Sequence, residues 1–261
     1  MKRYQALVFF DLDGTLLDSN SKISIENRQT VLALKQNNIL PMIASGRSPK
    51  EIKQITEGTG IDSYVSLNGQ FNVVENNVIS KHIIPTKHIH ELMQFSKTLN
   101  HSLACYTEKE YAAGYVNDSM KKLYRLDHAP LPQISSSFYK ENEIYMLYLF
   151  SEEVETDKLY QEKFAEIFTL FRDSPYSMAV VLKGQSKKAG IQQIIEKLDL
   201  NHLPTYAFGD GNNDIAMFEA VHTAIAMDNA SDYVKSQADF VTKSNLNDGI
   251  RFGLQQFNLI N

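Results

Sequence analysis

The chain has 261 residues, 43% of them hydrophobic, and a net charge of −5 with a sequence pI near 5.8. That length holds one large domain or two modest ones with a proper core, and the acidic balance gives no global field for nucleic acid or anionic lipid. The single cysteine, Cys105, excludes an intramolecular disulfide and a cysteine-cluster zinc site, and suits a reducing cytosol.

From the start, Met1-Lys2-Arg3-Tyr4 runs straight into a short strand rather than the apolar stretch of a signal peptide. No segment approaches the ~20 apolar residues that cross a bilayer. A soluble cytoplasmic protein is therefore expected, with no nucleic-acid or membrane partner and no obligate protein partner. Residues 6–10, Ala-Leu-Val-Phe-Phe, read as a strand buried on both faces inside a parallel sheet. The run ends in Asp11-Leu12-Asp13-Gly14-Thr15. Ligand crevices of open α/β sheets lie beyond the carboxyl ends of the strands, so both aspartates are expected there. Two acids this close repel, a cost relieved by a bound cation or by a retained proton.

A loop over 16–22 leads to a helix capped by Ser24 and running to Asn37, with Val31, Leu32 and Leu34 facing inward. A strand over 39–44 stops at Ser45-Gly46-Arg47-Ser48, and a helix from Pro49 leads to a strand over 64–67 closed by Asn68-Gly69. Such alternation implies right-handed crossovers and a parallel sheet. Residues 71–74 and 78–80 then flank Glu75-Asn76-Asn77 as a hairpin. Over 83–182 the acid-tipped grammar stops. Thr86 caps a helix to Asn100, 102–106 and 144–150 read as strands, and 159–171 as a helix. The first grammar resumes at Gly184. A helix from Lys187 carries Ile191, Ile194, Ile195 and Leu198 at i, i+3, i+4 and i+7. A strand over 205–208 ends in Gly209-Asp210-Gly211-Asn212-Asn213-Asp214, followed by a helix over 215–220, strands over 223–226 and 239–242, and a closing helix over 247–257. The predicted class is α/β, a Rossmann-like doubly wound parallel-sheet core (1–82 and 183–261) with an inserted α+β cap domain (83–182).

Adjacent parallel strands bring their carboxyl ends together, so Asp11, Asp13, Ser45-Gly46, Lys187 and the Asp210 loop can converge although far apart in sequence. A carboxylate-rich site without cysteine or patterned histidine prefers a hard, oxygen-loving ion, Mg²⁺ above all. Asp11 and Asp210 fit as side-chain ligands, and Asp13 can offer its backbone carbonyl. An aspartate can attack phosphorus to give an aspartyl-phosphate that water later cleaves. A cation, a lysine and backbone amides offset charge on the equatorial oxygens. A second acid two residues on can protonate the leaving oxygen and later deprotonate water, with Gly14 allowing the tight fold and Thr15 holding that acid's orientation.

Asp-Leu-Asp-Gly-Thr, Ser-Gly-Arg, Ser-Lys and Gly-Asp-Gly-Asn-Asn-Asp, in that order, resemble the four motifs of the haloacid dehalogenase-like hydrolases, and the long insertion resembles the Cof-type phosphatase branch. The resemblance implies Asp11 as nucleophile and Asp13 as general acid/base. It places Leu12, Ser45, Gly46, Lys187 and Asn213 at the phosphate. Asp11, Asp13 and Asp210 would hold Mg²⁺, and Asp214 the metal's outer shell or Lys187. The family commonly has glycine after the lysine, whereas Lys188 stands here, and Lys183 and Lys188 compete with Lys187 for the role. The implied activity is an Mg²⁺-dependent phosphatase for small phosphorylated metabolites, sugar phosphates or cofactors such as FMN or pyridoxal phosphate, with the inserted unit closing over the crevice. A mutase-like phosphotransferase and a non-catalytic phospho-ligand sensor are the rivals.

Other features have plainer readings. Arg47 pairs with a nearby acid, and Asp214 sits early in a helix, where the dipole favours a carboxylate. Lys121, Lys122 and Arg125 form a solvated helix face or contact a small anion. His88 and His90 point in different directions, and His82, His101, His128, His202 and His222 are surface or core residues.

Overall fold

The apolar run near the N-terminus forms strand β1 (Ala6–Phe10), buried at every position, in a computed structural model that describes residues 4–126 and 129–261. His128 lies outside the described residues. β2 (Ile39–Ala44) and β3 (Tyr64–Ser66) extend the sheet in parallel on one side of β1. β4 (Phe71–Val74) runs antiparallel to β3, and β5 (Asn77–Lys81) forms the edge. The inserted segment supplies β6 (Ser102–Tyr106), β7 (Tyr111–Ala113), β8 (Gln133–Ile134), β9 (Met146–Phe150), β10 (Phe168–Ser174) and β11 (Ser177–Leu182). The chain then returns through β12 (Thr205–Gly209), β13 (Thr223–Ala226) and β14 (Phe240–Val241), all parallel. The sheets read β14-β13-β12-β1-β2-β3-β4-β5 and β10-β11-β9-β6-β7-β8.

Two units result, one ending at Ser80 and resuming at Ser186, the other spanning Lys81–Gln185.

In the first unit, alternation sends Leu7 and Phe9 to one face, where Leu40, Met42, Ala207 and the helix residues Ile191 and Ile194 pack on them. Phe10 and Phe208 stack at 5.3 Å on the other face, beneath Gly253 of the closing helix Gly249–Gln256. Burying such rings removes about 1.5–3 kcal/mol of exposed apolar surface each. Helices on both faces define the doubly wound class. The register positions the chemistry. Phe10 pairs with Ile43 on one side and Phe208 on the other, so Asp11, Ser45 and Asp210 leave the sheet at nearly one level.

The helix Ile25–Gln36 is capped by Ser24, whose side chain accepts the Asn27 amide, and it buries Val31 and Leu34. Leu32, expected inward, is 42% exposed: it lies one residue off the buried stripe. Thr86 is the first residue of the helix Thr86–Thr98, with Pro85 at the cap position.

In the second unit the expected helix over 159–171 divides. Asp157–Lys163 is helical, and β10 begins at Phe168, pairing antiparallel with β11 from Phe168 against Leu182. Phe168 and Leu170 are buried while Thr169 is exposed, so the period has already become two. A strand partner overrides the local helical pattern here. The core of this unit joins Leu103, Leu147 and Leu149 from the sheet with Ile89, Leu92, Tyr160 and Phe164 from the helices.

Candidate active site

β1 delivers Asp11 into a wide turn that closes with the Leu17 amide donating to the Leu12 carbonyl at 2.9 Å. Within that turn Gly14 takes φ +81, and a Cβ there would stand 2.2 Å from Asp210 Oδ2. Only glycine allows the turn and the β12 loop to approach this closely. The β12 loop folds back tightly as well. A Cβ on Gly209 would lie 2.6 Å from the Asp214 Cβ.

Lys187 is the first residue of the helix Lys187–Lys197, capped by the Ser186 side chain. Its ammonium is 2% exposed and donates to Asp11 Oδ1 at 2.6 Å and to Asp214 Oδ1 at 2.7 Å. Its competitors have other partners. Lys183 pairs with Glu166 and Lys188 with Glu219, both on the surface. Asp214 Oδ2 accepts the backbone amides of Asp210 and Gly211, each at 3.0 Å. With both oxygens engaged, Asp214 holds Lys187 and shapes the loop.

Thr15 donates to Asp210 Oδ1 at 2.8 Å. The threonine thus orients Asp210, and not Asp13 as the sequence suggests. Asp13 turns outward to Arg47, which grips it with Nε at 2.9 Å and Nη2 at 2.7 Å. The bidentate fork fits a guanidinium and a carboxylate. Arg47 therefore pairs with an acid, as the sequence suggests, and that acid is the candidate proton donor. Ser45 is buried at the end of β2, its hydroxyl accepting the Arg47 amide at 3.2 Å, with Gly46 between them. Leu12 is fully buried. Asn213 is exposed, its side-chain oxygen folded back over Gly211.

Burial, reinforced by the negative charge of Asp214 and opposed by Lys187, pushes Asp11 up to about 8. Burial also raises Asp210 to about 6, against the pull of the Thr15 hydrogen bond. For Lys187 burial acts downward, but Asp11 and Asp214 outweigh it and hold the ammonium charged. Two carboxylates share one buried cation, and a third, Asp210, stands beside them. Asp11, Asp210 and Asp214 present oxygens within 4.8 Å of one another. The donors are all hard oxygens, and with all three ionised, as a bound cation would require, the surplus is two negative charges. A divalent, oxygen-seeking ion matches both counts, so the residues fit Mg²⁺. Asp11 and Asp210 have the oxygens to hold it. The Asp13 carboxylate is committed to Arg47, which leaves its main-chain carbonyl for that purpose.

Sequence reasoning missed Asn229 and Asn245. Asn229 follows β13 and donates to the Gly14 carbonyl at 2.8 Å, while Asn245 follows β14 and donates to the Leu17 carbonyl at 2.8 Å. Both obey the same signal that singled out Asp11 and Asp210: a polar residue just past a parallel strand.

A doubly wound sheet whose strand ends gather a buried lysine and three aspartates defines an α/β protein with a charged site at one edge of its sheet. Residues 8–254 match the model of the haloacid dehalogenase-like hydrolases. The putative phosphatase YkrA of Bacillus subtilis is 39% identical over 97% of this chain and 98% of its own. A 5-amino-6-(5-phospho-D-ribitylamino)uracil phosphatase of the same organism, YcsE, is 26% identical over 94% of this chain and 92% of its own. A solved sugar phosphatase of HAD subclass IIB superposes with a TM-score of 0.86 at 27% identity, covering 98% of this chain and all of that one. The chain belongs to the haloacid dehalogenase-like hydrolases, and it is a phosphatase of that family.

Proposed function

We propose that the protein is an Mg²⁺-dependent phosphomonoesterase acting on small phosphorylated metabolites, sugar phosphates or phosphorylated cofactors such as FMN or pyridoxal phosphate, through an aspartyl-phosphate. One observation carries the reading: the Lys187 ammonium bridges Asp11 and Asp214 at 2.6 and 2.7 Å, with Asp210 alongside. A relative named for a ribitylaminouracil phosphate and a neighbour named a sugar phosphatase support the substrate class.

In this reading an Asp11 oxygen attacks phosphorus as the bond to the leaving oxygen breaks, and Asp13 gives that oxygen its proton. Asp13 then takes a proton from the water that attacks phosphorus, the bond to Asp11 breaks, and orthophosphate leaves. Mg²⁺, when bound, draws charge from the phosphoryl oxygens and lets Asp11 stay ionised beside them. Lys187 adds a fixed positive charge at the same place, and Ser45 and Gly46 line the end of β2. Asp13 is gripped by Arg47 in this structure, so proton delivery requires the carboxyl to leave that fork. The inserted unit is assigned the choice of leaving group, and the cytoplasm is the proposed compartment. Among the described residues no helix is long and apolar enough to cross a membrane.

The test is orthophosphate release from a panel of sugar phosphates and phosphorylated cofactors, with Mg²⁺ and then with chelator. Release that needs Mg²⁺ and favours a subset of the panel is expected. No release from any member, or release indifferent to chelator, would overturn the proposal.

A further inference from the structure

We propose that Asn229 is a positioning residue for the cation site, fixing the spacing between the Gly14 backbone and the Asp210 carboxylate. The inference rests on the metal-dependent reading above. The Asn229 amide nitrogen lies 2.8 Å from the Gly14 carbonyl oxygen and 3.4 Å from Asp210 Oδ2. A primary amide carries two N–H donors, so one nitrogen can serve both acceptors at once. Its oxygen accepts the Asn245 backbone amide at 3.0 Å, which sets which end of the side chain faces the site. Asn245 in turn donates to the Leu17 carbonyl at 2.8 Å, where the catalytic turn closes. The loops after β13 and β14 are thereby tied to the middle and to the closing end of the turn that follows Asp11.

The other Asp210 oxygen is already taken by Thr15 at 2.8 Å. Asp210 is thus held by one hydrogen bond from inside the turn and approached by a donor from the adjoining loop. Aspartate at position 229 would keep the shape but replace the donor with a fourth negative charge. Mg²⁺ demands near-ideal octahedral geometry at about 2.0–2.1 Å, so small displacements of one carboxylate cost affinity. Removing partners of metal ligands typically weakens metal affinity about 10- to 100-fold. Asn229 is exposed, so its truncation leaves no hole in the core.

The full chain, stripped of metal, is titrated with Mg²⁺ by calorimetry and with Mn²⁺ by electron paramagnetic resonance. Asn229→Ala is expected to weaken both ions about tenfold while the metal-free melting temperature stays at the wild-type value. Asn245→Ala, acting one step further out, is expected to shift affinity in the same direction by less. Activity lost at low Mg²⁺ should return as Mg²⁺ is raised. Wild-type affinity in Asn229→Ala would overturn the assignment. So would weakened binding that comes with a lowered metal-free melting temperature, since that marks a general structural role. A wild-type protein that takes up no Mg²⁺ would instead overturn the metal reading, and this assignment with it.

Discussion

The two units bury polar groups in different ways. The first unit places the ionisable side chains of Asp11, Lys187 and Asp214 in its interior, all at one end of its sheet. Among its described residues the second buries hydroxyls, those of Ser102, Ser119, Ser151 and Ser177, and a histidine, His101, whose Nδ1 lies 2.9 Å from the Tyr160 hydroxyl. Its tightest ion pair, Arg172 with Asp157 at 2.5 Å, keeps side-chain exposures of 17% and 14%. Lys121 and Lys122 are surface residues paired with Asp118 and Glu152, the solvated face that the sequence suggests. Buried ions cost several kcal/mol each before their partners repay it, so a fold meant only to be stable avoids them. Among the described residues, buried carboxylates and a buried ammonium gather in the first unit, where the candidate site is.

That contrast can be broken by substitution. The largest expected effect is on turnover: Asp11→Asn should lower kcat by at least about a thousandfold, because the nucleophile is gone. The metal-free protein should not be weakened by this change. The amide cannot carry the charge that Asp214 and burial already resist at this position. Comparing kcat with the metal-free melting temperature separates the two effects.

Lys187→Met comes next. It leaves Asp11 and Asp214 buried without their shared cation, and should cost about 3–5 kcal/mol of unfolding free energy in metal-free denaturant titrations. Arg172→Met in the second unit should cost less, about 1.5–3 kcal/mol, because water reaches both partners. Equal losses would erase the distinction between the units.

The smallest of the three is a pH effect. Asp11, raised to about 8, and Asp210, raised to about 6, hold protons in the folded metal-free protein that the unfolded chain has already lost. The folded state therefore binds more protons, and its stability should fall as pH rises from about 4 through about 8. Mg²⁺ must displace those protons, so its affinity should rise across the same window, with proton release seen as a buffer-dependent heat in calorimetry. Among the described residues of the second unit, the strongly raised groups are Cys105 and tyrosines such as Tyr160, which titrate in alkali, and Asp118, Glu143 and Glu166 are surface carboxylates held down by lysines. Affinity flat between these pH values would contradict the surplus of buried carboxylate.

How much of this was legible in the sequence follows from where each signal resides. β1 and β2 are continuous apolar runs ended by polar residues, a pattern local enough to give their bounds and to bring Asp11, Ser45 and Asp210 to one edge. Lys187 was separable from Lys183 and Lys188 because the apolar stripe of its helix sets which lysine stands at the start. The second unit was harder. β7 and β8 are two or three residues long and exist only because neighbours pair with them. β10 carries a local helical pattern, and its pairing with β11, remote from that pattern, makes it a strand. Within the site, the Thr15 bond to Asp210 and the bidentate Arg47–Asp13 pair span 195 and 34 residues of sequence, and no periodicity encodes such a pairing. Asn229 and Asn245 were visible as residues past strand ends, but amides are common in loops, and only the distances give them meaning.

The central claim is that Asp11 carries the phosphoryl group. Rapid acid quench during turnover, followed by borohydride reduction and peptide mass spectrometry, reads this directly, since an aspartyl-phosphate is reduced to homoserine. The account expects homoserine at position 11, formed only when substrate and Mg²⁺ are both present. Reduction at Asp13 instead, or an unmodified Asp11 under conditions of steady phosphate release, would contradict it.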